Sequence, residues 1–102
     1  MIKNGMRPIH PGEFIREDYL VPLNMSVHAL AKALDVPATR LHEIVKERRA
    51  ITADTALRLG RFFDTTPDYW LTLQHKYDLK LAEREAGANI AKRVQPMQGK
   101  AA

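Results

Sequence analysis

A proline set between two short amphipathic runs constrains this chain more than any other feature. Residues 26–49 read SVHALAKALDVPATRLHEIVKERR. Val27, Leu30, Ala31 and Leu34 recur at i, i+3, i+4 and i+7, which is one face of a helix. Ser26 stands where an N-cap belongs and can accept from the free N–H groups of the first turn. Asp35-Val36-Pro37 then breaks the period. Proline is disfavoured inside a helix and welcome in its first turn, so a second helix is expected to begin at Pro37. Leu41, Ile44 and Val45 share one side of it, with Thr39, Arg40, His42, Glu43 and Lys46 mostly on the other. Two short amphipathic helices joined by a turn of three or four residues form a helix-turn-helix. The polar face of the second helix is the candidate DNA-reading element.

The flanking segments read as three more helices. Residues 1–9 are short, polar and expected to be mobile. A first helix from about Pro11 to Leu20 carries Phe14, Ile15, Tyr19 and Leu20, with Pro11 near its first position and Leu23 just beyond. Glu13, Glu17 and Asp18 lie in its first half, where the helix dipole favours acids. Pro22 is expected to prevent clean continuation. Thr52 looks like the cap of a helix from Ala53 to about Phe63, buried through Ala56, Leu57, Gly60 and Phe63. Asp64-Thr65-Thr66-Pro67-Asp68 is the clearest helix start in the chain: a Thr cap, Pro at the first position and an early acid. The helix it opens carries Trp70, Leu71, Leu73, Tyr77, Leu79 and Leu81, and is expected to run to about Glu85, before Gly87. No strand or repeat signal appears. The expected fold is all-α, five helices around one core, with a radius of gyration of roughly 13 Å. Residues 1–85 would form the domain, with its helix-turn-helix at about 26–46. Residues 86–102 would be a polar tail, too poor in apolar surface to offset its ordering entropy.

Charge and motifs exclude more than they assign. The net charge of +4 divides into +3 on residues 86–102, +2 on residues 1–7 and −1 between them. The basic pI therefore comes from the ends and is weak support for a nucleic-acid partner. Within the core the one dense basic cluster is Lys46, Arg48 and Arg49. No apolar run approaches the roughly 20 residues that span a membrane, and the N-terminus lacks the apolar region of a secretory signal. The absence of cysteine excludes disulfides and thiolate metal sites and suits a reducing cytosol. His10, His28, His42 and His75 are too scattered to suggest a metal site. Glu13 and Glu17 lie one turn apart, but a wet helix N-terminus explains them better than paired catalytic carboxylates. With no P-loop, GxSxG or GxGxxG, neither an enzyme nor a cofactor is expected.

In helix-turn-helix proteins the N-terminal residues of the second helix reach base edges. Here these are Ala38, Thr39 and Arg40 and, one turn on, His42 and Glu43. Arg40 can donate two parallel bonds to guanine, Glu43 can accept from cytosine, Thr39 can meet a phosphate or a thymine methyl, and Ala38 offers methyl contact alone. The plain alternative is a solvated face in which Arg40 and Glu43 pair at i, i+3. Ser26 and His28, at the start of the bracing helix, and Lys46, Arg48 and Arg49, after the reading helix, are the candidate phosphate contacts. Tyr69, Trp70 and Tyr77 are candidates for a dimer or partner interface, since aromatics anchor interfaces. For Trp70, closing the core is the favoured role.

The order HPGEFI, NMSVHALAKALDVP, RLHEIV, RAITADTALRLGRFF and TTPDYWLTLQHKYDL closely resembles the HigA antitoxins over about residues 8–85. These form a branch, some of whose members are called virulence-associated protein I, of the Xre-type, Cro/repressor-like helix-turn-helix proteins. ITADTALRL followed by PDYWLTLQ is specific to that branch. The resemblance implies a five-helix, lambda-repressor-like domain. It also implies a cytoplasmic homodimer that binds an inverted-repeat operator as double-stranded DNA and represses its own operon. A further implied partner is a RelE-like HigB toxin that cleaves messenger RNA, the two forming a type II toxin–antitoxin module. A solitary Xre-type regulator without a toxin is the alternative, and a helical adaptor without nucleic acid the least favoured. Two positions depart from the pattern. Val27 stands where many Xre-type domains place a bracing Gln, and Lys46-Glu47 stands where the family commonly has Asn-Gly. Without that Gly the usual left-handed C-cap is lost, leaving the reading helix able to run on by a turn and re-aim Lys46, Arg48 and Arg49.

Overall fold

Side-chain caps mark the start of every helix but one. In the computed structural model, which describes residues 7–97, every regular element is a helix and no strand occurs among the described residues. The N-terminal arm up to residue 6 and the tip of the tail lie outside the described residues. Helix α1 is a continuous run over 11–23, made of α-helical Pro11–Phe14, π-helical Ile15–Leu20 and α-helical Val21–Leu23. It is followed by α2 (Val27–Leu34), α3 (Ala38–Val45), α4 (Ala53–Phe63) and α5 (Pro67–Arg93). Ser26, Thr52 and Thr66 cap α2, α4 and α5, accepting from the N–H groups of Ala29, Thr55 and Tyr69. Pro37 is the N-cap of α3 rather than its first residue, with φ −61° and ψ 141°.

Pro22 does not end α1. The π segment before it lets the Val21 N–H reach back to the Arg16 carbonyl, and the α-helix restarts with Pro22 in its first turn. The missing N–H falls at the junction where the ladder changes from π to α spacing, so the run loses a bond there without ending.

The reading helix does not run on either. Glu47 itself takes the left-handed conformation, φ 65°, and the Arg48 N–H donates to the Glu43 carbonyl at 2.8 Å, closing the Schellman turn a glycine usually closes. Helix α3 therefore stops at Val45.

Ile15, Leu30, Leu41, Ile44, Leu59 and Trp70 are fully buried and draw all five helices into one core. The Trp70 Nε1 donates to Thr65 Oγ1 at 2.8 Å, and its ring packs on Tyr19, Phe63 and Tyr69. Trp70 is thus a core residue and leaves the list of interface candidates. Burial of the Tyr19 phenol, with a hydrogen bond to Tyr69 second, pushes its pKa up to about 12. The buried stripe of α4 is Thr55, Ala56, Leu59 and Gly60; Leu57, expected inside, is 60% exposed. One residue beyond Ala56 is a turn of about 100° around the helix, which carries Leu57 off the stripe.

The largest departure is α5. It continues through Gly87 to Arg93, so residues 86–93 are helix and not tail. A Cβ at Gly87 would meet nothing nearer than the Glu83 Cβ at 3.8 Å, so this glycine answers no steric demand. Ala86, Ala88 and Ala91 around it are the strongest helix formers, which outweighs the roughly 1 kcal/mol a single glycine costs. The chain leaves the helix at Val94, ahead of Pro96. Buried side chains in α5 are confined to Trp70 and Gln74, so its second half projects from the core. The molecule measures 54 × 24 × 24 Å, and its radius of gyration is 16.9 Å rather than that of a sphere.

Candidate nucleic-acid interface

Periodicity sends Leu41, Ile44 and Val45 of α3 inward and turns the opposite side out. Thr39, His42 and Lys46 are exposed, while Arg40 and Glu43 are half-buried along the flanks. Ala38 is also half-buried and packs against the core, so its methyl group is less free than the Thr39 side chain. Ser26 and His28 lie exposed at the start of α2, and Arg48 and Arg49 lie exposed after α3. Ser26 Oγ is already engaged with the Ala29 N–H at 3.0 Å, yet the hydroxyl keeps its proton to donate.

The Arg40–Glu43 pair of the plain alternative does not form. Arg40 Nη1 donates to Asp54 Oδ2 at 2.8 Å, and Glu43 pairs with Arg48 at 3.8 Å. Asp54, in the first turn of α4, also accepts from Arg58 Nε at 2.9 Å. Its carboxyl is held below the ordinary value by Arg58 and then by Arg40. Arg58 Nη1 in turn donates to the carbonyls of Leu34 and Asp35, at 3.0 and 3.1 Å. A chain of charged bonds therefore runs from the end of the bracing helix through α4 to the reading helix. Arg40, Arg49, Thr52, Asp54, Thr55 and Arg58 line one open cleft.

The far end of α3 is held from α1. Arg16 Nη1 donates to the Val45 carbonyl at 2.7 Å, and its Nη2 lies 3.4 Å from Glu47. A Cβ at Gly12 would overlap the Ile44 carbonyl oxygen, so the start of α1 can lie against the backbone of α3 only because residue 12 has no side chain. His10 Nδ1 accepts from the Gly12 N–H at 2.9 Å and caps α1, while its ring packs at 70° to that of Tyr77, with centroids 4.9 Å apart. Burial lowers the His10 pKa, against the pull of Glu47, Asp78 and a hydrogen bond with the Arg49 backbone. Tyr77 is thus partly engaged by His10, and Tyr69 keeps 38% of its surface exposed.

Sequence reasoning missed Gly12, Arg16, Asp54 and Arg58 as parts of this frame. A glycine directly after the helix-opening proline is a readable signal for Gly12. Asp54 and Arg58 stand at i, i+4, a spacing that signals their pair. The links from Asp54 to Arg40, from Arg58 to the Leu34 and Asp35 carbonyls and from Arg16 to the Val45 carbonyl carry no signal, because those partners are distant in the chain. Among the described residues no group of three or more His, Cys, Asp or Glu converges as metal ligands would, and no helix is long and apolar enough to cross a membrane.

The helix-turn-helix family profile matches residues 15–70. Virulence-associated protein I of Dichelobacter nodosus is 58% identical over 83 residues, 81% of this chain and 77% of that protein. The structure of Pseudomonas aeruginosa antitoxin HigA with the higBA promoter superposes with a TM-score of 0.87 at 45% identity, over 89% of this chain and 99% of the other. That of antitoxin GraA in complex with its operator gives 0.86 at 46% identity, over 95% and 98%.

Proposed function

Because the chain belongs to the helix-turn-helix family, in the branch of the HigA antitoxins and virulence-associated protein I, we propose that it is the antitoxin of a type II toxin–antitoxin module. It binds its operator as a homodimer, represses its own operon and neutralises an mRNA-cleaving, RelE-like HigB toxin in the cytoplasm. It is a binding protein and not an enzyme. The observation that carries the reading is the outward polar face of α3, in a fold superposable on two antitoxins whose structures hold promoter or operator DNA.

In this reading Thr39, Arg40, His42 and Glu43 face base edges, with Ala38 at their margin. Ser26, His28, Lys46, Arg48 and Arg49 neutralise phosphates. A two-fold dimer sets the paired reading helices about 34 Å apart, so the operator is an inverted repeat. Exposed Tyr69, Phe62 and Leu57 offer apolar surface for a second subunit or the toxin to cover.

Gel-shift titration against the upstream region of the gene, at two salt concentrations, tests this. Arg40→Ala is expected to lose about 1–3 kcal/mol of discrimination at one base pair. Arg49→Ala is expected to weaken all sequences alike and lower the salt slope by about 1. Equal losses on operator and random DNA for Arg40→Ala would remove it from base reading.

A further inference from the structure

We propose that Asp54, outside the helix-turn-helix, is a positioning residue that sets which base Arg40 reads. The inference rests on the reading of Arg40 as a base contact. A free arginine on a helix surface samples many rotamers and loses that freedom on binding. Arg40 does not start free. Its Nη1 is held at 2.8 Å by Asp54, while no hydrogen bond engages its Nε or Nη2 among the described residues. That one bond restrains where the planar guanidinium sits and leaves its other edge unpaired. The Nε–Nη2 edge then presents two parallel donors, the pattern that matches the O6 and N7 acceptors of guanine.

Asp54 is itself anchored. The same Oδ2 that holds Arg40 accepts from Arg58 Nε at 2.9 Å, and Arg58 is tied to the Leu34 and Asp35 carbonyls at the turn of the motif. Two guanidiniums on one carboxylate leave the cluster net positive, so Asp54 does not repel phosphates as an isolated acid would. The arrangement lowers the ordering cost of the contact and narrows the directions from which Arg40 meets a base.

The test measures binding of the full chain to a panel of half-site variants, each with one base pair changed. Asp54→Ala is expected to reduce discrimination by about 5-fold at the base pair that Arg40→Ala also relaxes, and at no other. Asp54→Asn keeps an oxygen that can accept from Arg40 and should restore part of it. In the Arg40→Ala background Asp54→Ala should change nothing further at that position. Asp54 is more than half exposed, and circular dichroism checks that each variant is folded at the assay temperature. A uniform gain or loss on all sequences would show a charge effect and overturn the proposal, as would an equal effect of Asp54→Ala without Arg40. If Arg40→Ala relaxes one position and Asp54→Ala none, this inference falls alone. If Arg40→Ala relaxes none, base reading by Arg40 falls with it.

Discussion

The two helices of the motif are alike in length, eight residues each, and unlike in what holds them. Both are far shorter than the about 12–15 residues at which an isolated helix becomes marginal in water. Helix α2 starts from its own neighbourhood: Ser26 caps it and Asp35, a short polar residue that tolerates the left-handed conformation, ends it. Helix α3 opens on Pro37 without a side-chain cap and closes on Glu47, a residue poorly suited to that backbone. Each ends with its carbonyls held by an arginine from another helix, Arg58 for α2 and Arg16 for α3. The reading helix further depends on the close approach at Gly12. The bracing helix is thus capped by its own sequence, whereas the reading helix is placed mainly by tertiary contacts.

The sharpest way to break that contrast is Gly12→Ala. A methyl group aimed at the Ile44 carbonyl must push the start of α1 off α3, and overpacking of this kind costs about 3 kcal/mol. Ser26→Ala, which removes the cap of α2, should cost about 1 kcal/mol. Thermal or urea unfolding compares the two. If Gly12→Ala is no worse than Ser26→Ala, the reading helix does not hang on this contact.

Acidification loosens the same junction from the other side. Burial depresses the folded pKa of His10, so its contribution is complete above the unfolded value of about 6.5 and is lost as pH falls through the folded value. Protonated Nδ1 cannot accept the Gly12 N–H, which leaves a buried donor unpaired. Urea midpoints between pH 8 and 5.5 should therefore fall in the native chain and stay flatter in His10→Asn, whose amide oxygen can still cap α1. An unchanged slope in that variant would place the pH dependence elsewhere.

Much of the motif is legible in the order of residues, and the reason is local. Ser26, Thr52 and Thr66 cap within three residues of themselves, and the apolar period of α2 and α3 needs no knowledge of the rest of the fold. What stays hidden depends on distant partners. Helical spacing puts the Arg40 side chain beside Glu43 because i, i+3 neighbours meet on any helix, but Asp54 arrives from fourteen residues on and wins the pairing. Leu57 misleads because an apolar residue beside a stripe looks like part of it. Gly87 and Pro22 look like stops on residue type alone. One sits in open helix, and the other is carried past by a π turn that no period announces.

The arginines at the two C-termini should separate by a smaller margin. Arg58→Gln removes bonds to two carbonyls and to Asp54, whereas Arg16→Gln removes one carbonyl bond and weak pairs with Glu17 and Glu47. Charged hydrogen bonds at partly exposed sites contribute about 1 kcal/mol, so Arg58→Gln should cost somewhat more than that and Arg16→Gln somewhat less. Reversal of that order in urea unfolding would mean that α3, not α2, leans harder on its arginine.

The smallest effect has the opposite sign. Glu47 sits at φ 65°, where a β-carbon costs about 1–2 kcal/mol, and a glycine in its place would relieve that strain. Against that gain stand the greater freedom of glycine in the unfolded chain, worth about 0.4–1 kcal/mol, and an exposed pair with Arg16, worth a few tenths of a kcal/mol. The balance is a gain of about 0.5 kcal/mol for Glu47→Gly, read as a higher urea midpoint. Asp35 occupies the same backbone region, φ 59°, but a short side chain that can bond locally already lowers the strain there, so Asp35→Gly should gain nothing. Equal responses at the two positions would show that the left-handed ends of the bracing and reading helices are matched, and that Glu47 is kept for Arg16 at no cost to the backbone.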